Sequence, residues 1–217
     1  MKHLYLFAAL AAMALAPSAF AQRWEVGGGA GGGFYTSQDI SGASGSASAK
    51  IQSNVAGSAW LDNNGSGKWG GELRYDYQMG ALELSSGSTQ ATFAAHSQAA
   101  HYDILYHFAP NGAKVRPFVS AGAGIKIYSG TGAQVVYQPL SNIALLTQSQ
   151  DLVPLVSAGG GVKMQIGSRV QLRVEVHDYL TPFPKQVITP NTGNKSGGWL
   201  QDFVPMVGIS YTSPEGR

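Results

Sequence analysis

The chain has 217 residues, of which 12% are charged, with a formal net charge of +2, 29 glycines and no cysteine. The charged share is about half that of an ordinary soluble protein, and so small a net charge excludes a footprint for nucleic acid or a strongly acidic partner. Without cysteine, a disulfide scaffold and a lipobox are excluded as well.

The N-terminus reads as an export signal. Lys2 and His3 give a small positive region, residues 4–16 an unbroken apolar run, and Pro17 and Ser18 a break. Ala19-Phe20-Ala21 places small residues where a signal peptidase reads them. The apolar run is short of the ~20 residues a spanning helix needs. Residues 1–21 are expected to be cleaved, leaving 22–217 as one domain. No later run of 18 apolar residues exists, so a transmembrane helix is excluded. A soluble exported β protein and an outer-membrane β-barrel remain, because alternation hides the apolar signal of barrel strands.

The dominant period is two, which marks strands with opposite faces. The first strand is predicted at 23–36, with Trp24, Val26, Ala30 and Phe34 on one face and Arg23, Glu25, Gly27, Gly29, Gly31 and Gly33 on the other. No helix follows this glycine run, so it is not a dinucleotide loop. A second strand is predicted at 50–62, then a short Asn-Gly turn at 63–68. Its NNGS matches a glycosylation sequon, which would matter only in a eukaryotic secreted protein. The third strand, 69–85, is the clearest: Trp69, Gly71, Leu73, Tyr75, Tyr77 and Met79 alternate with Gly70, Glu72, Arg74, Asp76 and Gln78. The fourth, 91–108, sets Tyr102, Ile104, Tyr106 and Phe108 against His101, Asp103, Leu105 and His107.

After the short PNGAK turn the fifth strand, 115–129, contains PFVSAGAGIKI; the sixth, 152–166, contains PLVSAGGGVKM. Ser120 and Lys126 share a face in the first copy, Ser157 and Lys163 in the second. Antiparallel neighbours would place the two lysines towards opposite ends. A GSR turn leads to the seventh strand, 169–180, where Val170, Leu172, Val174 and Val176 alternate with Gln171, Arg173, Glu175 and His177. The eighth strand is 199–212. Connections at 36–50, 130–151 and 181–198 are long; the link at 85–91 is short, between strands long enough to project beyond a membrane. The third connection carries Val135, Val136, Tyr137, Leu140, Ile143, Ala144, Leu145 and Leu146, and is expected to pack over the mouth or hold a short element. The fourth is rich in turn-formers and is expected to be exposed.

Most of these strands reach or exceed the 9–11 residues of a tilted transmembrane strand. With its signal, eight alternating strands, short turns and longer loops, the chain resembles the OmpA-type or opacity-type eight-stranded outer-membrane barrels. The resemblance implies an all-β fold, an eight-stranded antiparallel up-and-down transmembrane β-barrel in the bacterial outer membrane. An even strand number places both termini on the short-turn, periplasmic side. Trp24, Tyr75, Tyr77, Tyr102, Tyr106, Phe108 and Tyr211 lie on apolar faces, suiting interfacial girdles.

The charged faces then line the lumen. Glu72, Arg74, Asp76, Asp103 and Arg116 are expected to form one polar network and Arg173 with Glu175 a second group, with Lys126 and Lys163 also inward. Eight strands leave room for little besides side chains, so a structural plug is favoured over a selectivity filter. His96-Ser97 is the best enzymatic candidate, but adjacent strand residues point opposite ways. His101 and His107 stand about 20 Å apart along one strand, and with His177 they make no metal site. The expectation is a monomer with no catalytic residue, metal or cofactor. Its partners are outer-membrane lipid and an extracellular ligand met by the loops, and its role is envelope-structural or surface interaction. A narrow pore and a lipid A-modifying enzyme are the alternatives.

Overall fold

The structure, a computed structural model, describes residues 23–43, 45–52, 54–64, 67–133 and 137–213. The expected export signal lies outside these residues, as do Gly65 and Ser66 of the NNGS turn and Val135 and Val136 of the third long connection. The described residues form strands and no helix. In chain order the strands are β1 (Arg23–Tyr35), β2 (Gln38–Gly42), β3 (Gly45–Ile51), β4 (Asn54–Asn64), β5 (Trp69–Ser86), β6 (Thr89–His107) and β7 (Val115–Gly130). There follow β8 (Ala144–Leu146), β9 (Gln150–Gln165), β10 (Val170–Pro182), β11 (Ile188–Pro190), β12 (Lys195–Ser196) and β13 (Trp199–Thr212).

Eight of these strands close a ring in the order β5-β4-β1-β13-β10-β9-β7-β6, with β6 returning to β5. Every neighbouring pair in the ring is antiparallel. Closure leaves the ring no unpaired edge, the condition for carrying backbone amides through lipid. The period of two sets which way each side chain points. On β5, Leu73, Tyr75 and Met79 are exposed on the outer wall while Glu72, Arg74 and Asp76 are buried inside. The outer wall continues in Val26, Leu61, Ile104, Val119, Val156, Val174, Val207 and Ile209, an apolar belt with no place in water. At the short-turn end Trp69 stacks edge-on against Tyr106 at 5.0 Å and Tyr106 against Phe108 at 5.3 Å. These rings form part of a girdle of the kind found at membrane interfaces.

The second strand departs from expectation. The predicted span 50–62 is two strands: β3 ends at Ile51, paired with Leu82, and β4 pairs Ala56 with Gln78. Between these pairs four residues, 52–55, oppose three, 79–81, so the register slips by one, as at a bulge. The slip separates the ring from a second layer at its long-loop end. There β5 and β6 run on to a hairpin closed by Gly87 at a φ of 58°. β3, β2 and β12 add to this extension, and β8 pairs with β11 beside it.

This layer has its own apolar core. Ile40, Ala47, Ala49, Ile51, Leu82, Leu84, Phe93, Ile143, Ala144 and Leu146 pack with Phe183, Val187, Ile188 and Leu200. The third long connection thus does both things expected of it: it covers the mouth and contributes β8. The fourth connection was expected to be exposed, and in part it is not. Its turn-formers Thr192 and Gly193 face outward, but Phe183, Val187 and Ile188 are buried in the cap. Three apolar side chains spaced among turn-formers follow no strand period, so turn chemistry masked their burial.

Candidate functional site

Glycines make the interior habitable. Trp60 of β4 points inward and is almost fully buried, donating from Nε1 to Ser210 Oγ at 3.1 Å. A Cβ on Gly27 would lie 2.5 Å from its ring, and one on Gly208 would collide with it as well. The glycine run of β1 is therefore the space in which an indole lies across the bore. The second copy of the repeated phrase does the same for an imidazole, and the first lets two strands approach. A Cβ on Gly159 would lie 2.7 Å from His177 Nδ1, and one on Gly124 would collide with the Ala100 carbonyl and the His101 Cα.

All nine residues assigned to the lumen are buried: Glu72, Arg74, Asp76, Asp103, Arg116, Lys126, Lys163, Arg173 and Glu175. The expected division into two groups does not hold. Arg74 donates from Nε to Glu72 at 2.7 Å and from Nη2 to Glu175, while Arg173 donates from Nε to Glu175 at 2.6 Å and approaches Glu72 with Nη1. The groups merge because β5 and β10 face each other across a bore only wide enough for side chains. The two guanidinium carbons lie 5.0 and 4.8 Å from the Trp60 ring centroid, a favourable cation–π geometry.

Towards the short-turn end Lys163 binds Glu25 at 2.9 Å and Asp62. Arg116 is buried at the same end. It donates to Asn64 Oδ1 at 3.3 Å and to the carbonyls of Ala109 and Gly67, and Asn64 in turn donates to Glu25 at 2.9 Å. Towards the cap Lys126 binds Asp202, which also accepts from Gln78 Nε2 at 2.8 Å. Lys126 and Lys163 thus stand at opposite ends of the lumen. Between them His101 meets Asp103 at 2.9 Å and Asp76 at 3.3 Å, and His177 meets Glu175 at 3.4 Å and Asp103 at 3.6 Å. Tyr179 donates to Asp76 at 2.7 Å, and the Lys126 ammonium lies 5.4 Å from its ring. Each of Glu25, Asp62, Glu72, Asp76, Asp103, Glu175 and Asp202 has a cation or an imidazole within 4.0 Å.

Sequence reasoning missed Glu25, Trp60, Asp62, Tyr179 and Asp202 as members. Parity was the available signal for Tyr179, which shares a face of β10 with Arg173 and Glu175; β1, β4 and β13 carried no residue already placed inside. Single donor atoms of Glu72, Asp103 and His177 lie within 4.8 Å of one another, but Arg173 already occupies Glu72, a cation where a metal would need to sit. His96 and Ser97 point to opposite sides: His96 stacks on the outward Tyr77 at 5.4 Å, and Ser97 lies inside, 2.9 Å from Tyr35 Oη.

No family model matches the sequence, and no curated protein matches it. Solved structures do match the fold. The chain is similar to the outer membrane protein OprG from Pseudomonas aeruginosa at 13% identity and a TM-score of 0.59, covering 89% of this chain and 97% of that one. It is similar to Neisserial surface protein A at 10% identity and a TM-score of 0.51, covering 87% and 96%. At these identities the likeness is one of fold: this chain is an eight-stranded barrel of the outer-membrane type.

Proposed function

We propose that the protein resides in a bacterial outer membrane, with its short turns and both termini in the periplasm. It acts there as a closed, non-catalytic barrel whose role is envelope-structural or lies in surface contacts made by its folded cap. The observation that carries this reading is that the bore is filled along its length. Ion pairs occupy it from Lys163 to Asp202, and the apolar core of the loop layer follows above them. A continuous water path has no room in such a section. The opposed directions of His96 and Ser97 argue against that pair as a catalytic dyad.

The test has two parts. Fractionation should place the protein in the outer membrane with a heat-modifiable gel band. Purified protein in planar bilayers should then stay electrically silent. Steady single-channel steps would replace this reading with that of a narrow pore.

A further inference from the structure

The two ends of the molecule differ in charge. At the loop end Lys50, Lys185 and Lys195 are interspersed with Asp39, Glu83 and Asp178. At the short-turn end Lys68, Lys114 and Arg169 are exposed. No carboxylate is exposed there among the described residues; Glu25 is buried and held by Lys163. The three cations come from three different turns, β4–β5, β6–β7 and β9–β10, and so stand two strands apart along half of the ring.

Each also borders the apolar belt. Lys68 precedes the outward Trp69, Lys114 precedes the outward Val115, and Arg169 donates from Nη1 to the outward Tyr211 Oη at 3.2 Å. Cations beside amphipathic rings at the edge of an apolar wall lie at headgroup depth. We propose that this rim is a binding collar for anionic phospholipid headgroups of the leaflet at the turn end. A phosphate takes charge-assisted hydrogen bonds from Lys and Arg, and each cation near a charged lipid surface strengthens attachment about fivefold. A soluble acidic partner would favour cations gathered on one patch; a lipid annulus favours cations distributed around a circumference. The proposal rests on the membrane placement given above.

The test uses the full mature chain carrying Trp199→Phe, which removes the outward tryptophan at the opposite end. Trp60 is shielded inside the lumen, so lipid quenching reports Trp24 and Trp69. The protein is folded into phosphatidylcholine vesicles containing either brominated phosphatidylglycerol or brominated phosphatidylcholine. The expected result is a relative binding constant of about 5 in favour of the anionic lipid, falling to parity in K68Q/K114Q/R169Q and weakening with added salt. Equal quenching by both lipids would overturn the collar and leave the rim to a soluble acidic partner. A preference surviving the triple substitution would overturn the assignment to these residues. Absence of quenching by either lipid would instead overturn the membrane placement itself.

Discussion

Arg74→Met is the sharpest probe of the lumen, because methionine keeps much of the length of the side chain and removes only its charge and donors. Arg74 contacts Glu72, Glu175 and Asp76 and lies on Trp60. None of the three carboxylates is stripped bare by its loss. Glu72 keeps Arg173, Glu175 keeps Arg173 and His177, and Asp76 keeps His101 and Tyr179. The loss therefore corresponds to one uncompensated buried charge rather than three, about 3–5 kcal/mol. Both partners are fully buried, so solvent screening does not reduce it. Equilibrium urea unfolding in detergent micelles, scored by the folded gel band, measures the change. Glu175→Gln placed on Arg74→Met removes the surplus charge and should restore at least half of the loss. A single variant within about 1 kcal/mol of the parent, or a double variant whose losses simply add, would refute the view that the lumen acts as one electrostatic unit.

Other outcomes follow from the same geometry. Gly27→Leu drives a side chain into the Trp60 ring and should destabilise by about 1–3 kcal/mol in the same titration; Gly57→Ala, with open space around its Cβ, should change little. Ile188→Asn buries a polar group in the cap core and should make the loops sensitive to protease added to intact cells, while the membrane-embedded band survives. His96→Ala and Ser97→Ala should leave the lipid A mass spectrum unchanged, and an altered spectrum would reopen an enzymatic reading.

The eight ring strands were legible because the lipid-facing and lumen-facing sets alternate without interruption, as from Trp69 to Met79. Burial of the individual charges was legible from the same alternation. Their pairing was not. Whether Arg74 meets Glu175 depends on which strands stand opposite after closure, and nothing local in either segment carries that. Trp60 was hidden for a related reason: an indole inside a narrow bore is credible only once Gly27 and Gly208 are known to flank it. The cap was hidden because Phe183 and Val187 sit in an irregular segment and Ile188 opens a strand of three residues, too short for burial to show a period.

The lumen pairs also answer how a barrel with only a small apolar cluster in its bore fixes its shape. Inside a bilayer the outer wall gains nothing from hiding its valines, because lipid is as apolar as they are. Ladder hydrogen bonds hold neighbours together but tolerate slippage, particularly in glycine-rich strands such as β1 and β9. The ion pairs supply what the ladders lack. Arg74 and Glu175 join β5 to β10, and Lys163 and Asp62 join β9 to β4, each pair diametrically opposite in the ring order. Lys126 and Asp202 join β7 to β13, three places apart. A one-residue slip of any of these strands would turn its charges out into lipid, at about 2–4 kcal/mol for each Arg or Lys near the midplane, and would leave the partner unpaired inside. The network therefore specifies register and cross-section together, and the glycines that make room for it lie in the strands whose register is otherwise least determined.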